Sequence, residues 1–201
     1  LLTPALAQSA GPVLVVGDSL SAAYGLETDA GWVRLLDRRL EQSGYPLEVI
    51  NVSVSGETTR GARTRLPDLL ERYGPSVVLL QLGGNDGLRG IDPRAMERNL
   101  DRMVEMAQSQ GARVLLMGVR LPTNYGKAYT RKFREVYQHV AERHDIALVP
   151  RLLEGVARRD ELMQSDRIHP NEQAQPTILG NVWPRLQPLL DAVSDRKDQA
   201  S

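Results

Sequence analysis

Three short blocks carry a hydroxyl, a glycine backbone and a carboxamide that could work together on an acyl group. They are Gly17-Asp18-Ser19-Leu20, Ser53-Val54-Ser55-Gly56 and Gly83-Gly84-Asn85-Asp86, and each follows a short stretch that reads as a strand. If those stretches are neighbouring strands of one sheet, the Ser19 hydroxyl, the Gly56 N–H and the Asn85 carboxamide meet at one edge. Acyl transfer needs such a set: a nucleophile, with donors aimed at the oxygen that becomes negative. Each block alone has a plainer reading. Ser19 reads as a cap or turn serine. Gly56 reads as a turn glycine at positive φ, and Asn85 as a loop asparagine in the left-handed region. Turn chemistry does not require all three at adjacent strand ends, so their convergence is the observation that points to catalysis.

A nucleophilic serine needs a base, and the chain has three histidines. His139 and His144 fall on, or just past, one helical stretch. Their spacing is not i, i+4, and no H-E-x-x-H occurs, so a zinc-protease helix is excluded and both read as helix-surface residues. His169 lies in Asp166-Arg167-Ile168-His169-Pro170. An aspartate three residues before a histidine on a tight loop can accept the imidazole Nδ1–H, which leaves Nε2 to face the serine. Taken alone, the same pair reads as a loop-capping carboxylate and an idle imidazole.

These residues depend on the elements that position them. Val13 to Gly17 is a continuous apolar run, as expected of a strand buried on both faces. A helical stripe follows over Trp32 to Leu40 and stops at Gly44. The second strand is read over Leu47 to Val52, and a helix over about Ala62 to Tyr73 ends at Gly74-Pro75. The third strand is Val77 to Leu82. Asp92-Pro93 supplies an N-cap and an N1 proline for a helix reaching about Gln110. Val114 to Val119 is the fourth strand, Tyr129 to His144 the next helix, and Ala147 to Val149 the fifth strand. A last helix is read from near Asn171 to Leu190, divided at Pro176 and Pro184. Alternating strands and helices imply an α/β fold: a three-layer α/β/α sandwich around a flavodoxin-like, five-stranded parallel sheet, with right-handed crossovers and order 2-1-3-4-5. The site then lies beyond the carboxyl ends of the strands, near the switch between strands 1 and 3.

Bulk properties narrow the function. Lysine plus arginine balance aspartate plus glutamate, 25 against 25, so the chain has no general electrostatic attraction for nucleic acid or anionic lipid. It has no cysteine, which excludes disulfides and thiolate metal sites. No apolar run approaches the roughly 20 residues of a membrane span. Residues 1–10 read as the end of a secretory leader, because Ala5 and Ala7 fit the small-residue pattern before a cleavage site, and the expected location is periplasmic or secreted. Residues 11–193 read as one domain and 194–201 as a frayed polar tail.

The four blocks Gly17-Asp18-Ser19-Leu20, Gly56, Gly83-Gly84-Asn85-Asp86 and Asp166-Arg167-Ile168-His169 resemble, in order and spacing, those of the SGNH (G-D-S-L) hydrolases. Ser55-Gly56-Glu57-Thr58, Leu82 to Gly90, Leu121 to Gly126 and Ala174-Gln175-Pro176 are similar to the bacterial multifunctional thioesterase/lysophospholipase/arylesterase subgroup. The likeness covers about Val13 to Leu190. It implies Ser19 as nucleophile, the Asp166–His169 pair in support, and the Ser19 N–H, Gly56 N–H and Asn85 side chain as oxyanion donors. Two positions depart from the subgroup: Glu57 stands where aspartate is usual, and Arg167 where glycine is common. Neither is expected to touch an assigned role. There is no G-x-S-x-G, so this is not the nucleophile elbow of the α/β-hydrolases.

The expected reaction is hydrolysis of carboxylic esters and thioesters of small acyl substrates (aryl esters, acyl-CoA, lysophospholipid-like molecules), with no cofactor and no metal. Leu88, Ile91, Leu121, Pro122 and Tyr125 are the candidate substrate-binding residues, because they sit on the loops after strands 3 and 4. Two other readings compete. One is a carbohydrate acetylesterase on the same fold, against which stand the apolar loops and an aromatic content of only 4%. The other is a non-catalytic flavodoxin-like binding module, which would want a phosphate-cradling loop or clustered acids after strand 1.

Overall fold

Val13–Gly17 (β1) and Val77–Gln81 (β3) are buried at every position, and that continuous burial is why they form the centre of a sheet rather than a half-exposed pair. In the computed structural model, which describes residues 10–198, they pair in parallel over five residues each. Val49–Asn51 (β2) flanks β1 on one side. Arg113–Met117 (β4) and Ala147–Val149 (β5) extend the sheet beyond β3. The order β2-β1-β3-β4-β5 is the one expected. The three candidate blocks therefore do stand at adjacent strand ends.

Helices cover both faces, as a wholly parallel sheet requires. Trp32–Gln42 (α1) packs beside the final helix on one face. Thr59–Tyr73 (α2), Pro93–Ser109 (α4) and Lys127–His144 (α5) pack side by side on the other. A short helix, Gly84–Leu88 (α3), occupies what reads as a loop in the sequence. Trp32 is fully buried, with its backbone N–H donating to Gln175 Oε1 at 3.0 Å and its indole N–H to the Leu20 carbonyl at 3.2 Å. One aromatic side chain thus ties α1 to the turn that carries Ser19.

The largest difference from expectation is the last helix. Gln175–Asp198 (α6) is continuous, with Pro184 and Pro188 inside it, and it runs on through most of the segment read as a frayed tail. Pro176 falls in its first turn, where a missing N–H costs nothing. Ile178, Val182, Leu186 and Leu190 are fully buried, and this packing holds the helix together across the later prolines. The helix α2 starts earlier than expected, at Thr59. The Thr58 side chain caps it from Gly61 N–H at 3.2 Å. Among the described residues no helix is long and apolar enough to cross a membrane. The expected leader, residues 1–10, lies outside the described residues except for Ala10.

Candidate active site

Gly17 must be glycine because a Cβ there would lie 2.8 Å from Ser21 Cβ and 2.9 Å from Gln81 Oε1. That close approach turns the chain sharply at the end of β1. Ser21 Oγ donates to Gln81 Oε1 at 2.7 Å, and the Asp18 N–H donates to the Gln81 carbonyl at 3.2 Å. The turn that presents Ser19 is therefore pinned to β3, the next strand. Asp18 itself points inward and is 2% exposed. Its Oδ1 accepts the Leu20 N–H at 3.0 Å. Burial pushes the Asp18 carboxyl up to about 6, with the Leu20 hydrogen bond opposing the shift.

Ser19 Oγ lies 2.9 Å from His169 Nε2, and His169 Nδ1 lies 2.6 Å from Asp166 Oδ2. The other Asp166 oxygen accepts the backbone N–H groups of Ile168 and His169 at 2.9 and 3.0 Å. One carboxylate thus shapes the loop and orients the ring. The hydrogen bond from the His169 ring, helped by those backbone donors, holds the Asp166 carboxyl down at about 2. The loop is closed by Gln164: its N–H donates to the His169 carbonyl at 2.8 Å, and its Nε2 reaches the carbonyls of Tyr24 and Pro170 at 2.8 and 3.0 Å. The Tyr24 ring lies against the imidazole, with centroids 4.4 Å apart.

The donors for an oxyanion stand opposite. Gly56 has φ +80°, and a Cβ there would meet nothing closer than Arg89 Nη2 at 3.9 Å, so glycine is required by conformation and not by space. Neither the Ser19 nor the Gly56 N–H donates to any described residue, which leaves both free for an incoming oxygen. Asn85 Nδ2 gives one hydrogen to the Glu57 carbonyl at 3.0 Å and keeps the other. Asn85 is helical rather than left-handed. The positive φ belongs to Gly83, at +105°, where a Cβ would lie 2.5 Å from the Tyr137 hydroxyl. That turn starts α3 and puts the Asn85 side chain within reach of the loop after β2.

Supporting residues that the sequence reading missed hold this wall in place. Asp86 is buried and accepts both the Thr59 N–H at 2.9 Å and the Thr59 hydroxyl at 2.5 Å, which locks α3 to the start of α2. Glu57 is not a bystander: its carbonyl holds Asn85, and its carboxylate pairs with Arg65 at 2.8 Å. Arg167 has φ +56°, which explains why glycine suits its position. His144 is not a surface histidine either, since it is largely covered and its Nε2 sits 2.9 Å from Asp101 Oδ1. His139 is half exposed, as expected.

Of the candidate substrate residues, Leu88 is exposed and Ile91 and Tyr125 are half-buried on the rim. The Tyr125 hydroxyl donates to the Leu88 carbonyl at 3.0 Å, joining the β3 and β4 loops. Pro122 is exposed. Leu121 packs under Gly87, where a Cβ would come within 2.4 Å of it, so it supports the loop from beneath. Among the described residues no group of three or more His, Asp or Glu side chains is placed to hold a metal ion. The arrangement can deprotonate the Ser19 hydroxyl, stabilise an imidazolium and bind a tetrahedral oxyanion.

Residues 15–175 match the GDSL-like lipase/acylhydrolase family. The chain is 51% identical to esterase TesA of Pseudomonas aeruginosa over 182 residues, covering 90% of each protein. It is 40% identical to thioesterase 1/protease 1/lysophospholipase L1 of Escherichia coli (strain K12) over 185 residues, covering 92% of this chain and 88% of that protein. A crystal structure of TesA superposes with a TM-score of 0.87 at 51% identity, over 89% of this chain and 99% of that one.

Proposed function

This chain belongs to the GDSL-like lipase/acylhydrolase family and is a serine ester hydrolase, and we propose that Ser19, His169 and Asp166 carry its reaction. The observation that supports this most directly is the continuous relay from Asp166 Oδ2 through His169 to Ser19 Oγ, with contacts of 2.6 and 2.9 Å. His169 Nε2 takes the serine proton as Ser19 Oγ attacks the acyl carbonyl. The Ser19 and Gly56 N–H groups and Asn85 Nδ2 receive the oxyanion. His169 then protonates the leaving group, and a water activated by the same imidazole releases the acid. The reading extends to acyl thioesters and lysophospholipid-like esters, by likeness to the Escherichia coli relative bearing those names, and to aryl esters, by 42% identity over 174 residues to an arylesterase of Vibrio mimicus. It also includes export to the periplasm or beyond, on the strength of Ala5 and Ala7; N-terminal sequencing of the protein recovered from cell fractions tests that part.

The acyl chain runs from the carbonyl along Leu88 and Ile91, which follow Asn85 directly. A p-nitrophenyl ester series tests this. Each added methylene that becomes buried should contribute up to about 0.8 kcal/mol, so rates rise from acetyl to medium chains and then level off. Leu88→Ala or Ile91→Ala should flatten that slope more than it slows acetyl-ester hydrolysis. An acetyl-only profile, or an unchanged slope in both variants, would reject the groove and favour an acetylesterase.

A further inference from the structure

The loop between β5 and α6 carries His169 near its end and a cluster of arginines near its start. Near that start Leu152 and Val156 face inward and are fully buried. The arginines on either side face outward, and Arg151, Arg158 and Arg159 join Arg120, from the end of β4, around a cavity of about 410 Å³. Glu154 is the one acidic residue in its lining. In a chain whose formal charge sums to zero, four arginines against one glutamate is a strong local excess. Arg151 pairs with Glu154 at 2.7 Å and Arg159 with Glu161 at 2.9 Å. Among the described residues Arg120 and Arg158 form no ion pair. The cavity wall is preformed, because Asn181 Nδ2 holds the Leu152 and Glu154 carbonyls at 2.9 Å each, and the Leu152 N–H donates to the Gly118 carbonyl at 2.8 Å.

Guanidinium groups are suited to phosphate oxygens by their fork of donors, and a cavity of this size lies in the range of small-ligand sites. Its place also matters. His169, the group that protonates the leaving group, is carried by the same loop as Arg151, Arg158 and Arg159. β4 and β5 stand two and three strands from β1, roughly 10–15 Å along the sheet. A glycerol-linked phosphate is too close to its ester bond to span that gap. A pantetheine arm is long enough.

We propose that the Arg120–Arg158 cavity is a phosphate subsite that binds the nucleotide end of acyl-CoA-type thioesters while the thioester lies at Ser19. This rests on the ester-hydrolase reading above. The test compares wild type with the Arg120→Gln/Arg158→Gln double variant, both checked for folding by circular dichroism, on four substrates: decanoyl-CoA, decanoyl-N-acetylcysteamine, a lysophosphatidylcholine and p-nitrophenyl decanoate. The expected result is a KM for decanoyl-CoA raised about tenfold or more, the loss of a charge-assisted contact, with kcat kept and the other three substrates unaffected. Free CoA should inhibit wild type more strongly than the double variant, and inorganic phosphate at the same concentration should not inhibit. Equal KM changes on both decanoyl thioesters, or none, would overturn the proposal. So would a selective loss on the lysophospholipid, or inhibition by inorganic phosphate equal to that by CoA. Loss of wild-type activity toward p-nitrophenyl decanoate would instead count against the ester-hydrolase reading itself.

Discussion

His169 Nε2 and Ser19 Oγ lie 2.9 Å apart although 150 residues separate them in the chain. Sheet order and one loop make that contact. β1 delivers Ser19 at the switch point, and the Asp166-capped loop, braced by Gln164, swings His169 over it. The wall opposite is fixed by a separate set of contacts, through Asp86, Thr59 and Glu57.

Asn85 is the side-chain member of the oxyanion set and so the donor a substitution can remove. Replacing it with alanine removes one hydrogen bond to the developing charge and leaves the backbone donors of Ser19 and Gly56 in place. Asn85→Ala should lower kcat by roughly 10²–10³. Steady-state kinetics on a single p-nitrophenyl ester decide the point, and a change in KM alone would remove Asn85 from this role.

Tyr24 supports the base from outside. Its ring rests on the His169 imidazole at 4.4 Å, and its carbonyl is held by Gln164. An aromatic contact of this kind contributes about 0.5–1.5 kcal/mol, so Tyr24→Ala should lower kcat by about 2- to 10-fold at unchanged KM. Tyr24→Phe keeps the ring and should behave as wild type. If Tyr24→Phe loses as much as Tyr24→Ala, the hydroxyl and not the ring face is the important group.

Asp18 predicts a pH dependence of stability. Burial raises its carboxyl from 3.8 to about 6 in the folded chain. Between those values the native state binds more protons than the unfolded one, so the Asp18 contribution makes stability fall as pH rises through the window and level off above about 6. Asp18→Asn keeps an acceptor for the Leu20 N–H and removes the charge. Relative to wild type it should gain up to about 3 kcal/mol between about pH 4 and pH 7. Asp166, held at about 2, titrates alike in both proteins and drops out of the difference. Urea unfolding at the two pH values measures it, and a pH-independent difference would contradict the assignment.

The parts of this site legible in the sequence are those carried by local pattern. Apolar runs located the strands, and the strand order then brought Ser19, Gly56 and Asn85 together. The Asp166-to-His169 spacing set the orienting pair. The supporting residues were hidden because their partners are distant: Gln81 acts on Ser21 and Asp18, and Asp86 on Thr59. A clue did exist. Asp18 and Asp86 are charged residues directly beside Ser19 and Asn85, just past the ends of wholly buried strands, where a carboxylate needs a partner. Arg167 shows the reverse limit, since a missing glycine marks a left-handed position only once φ is known. The persistence of α6 through Pro184 and Pro188 was unreadable because tertiary burial, not propensity, decides it.

The central claim is that Ser19 is the nucleophile, activated by His169. Labelling with a fluorophosphonate probe, followed by peptide mapping, tests it most directly. The account predicts a single covalent adduct on Ser19, greatly slowed labelling in His169→Ala, and a Ser19→Ala protein that folds normally but neither labels nor turns over. An adduct on another residue, or a well-folded Ser19→Ala protein that hydrolyses esters at the wild-type rate, would contradict it.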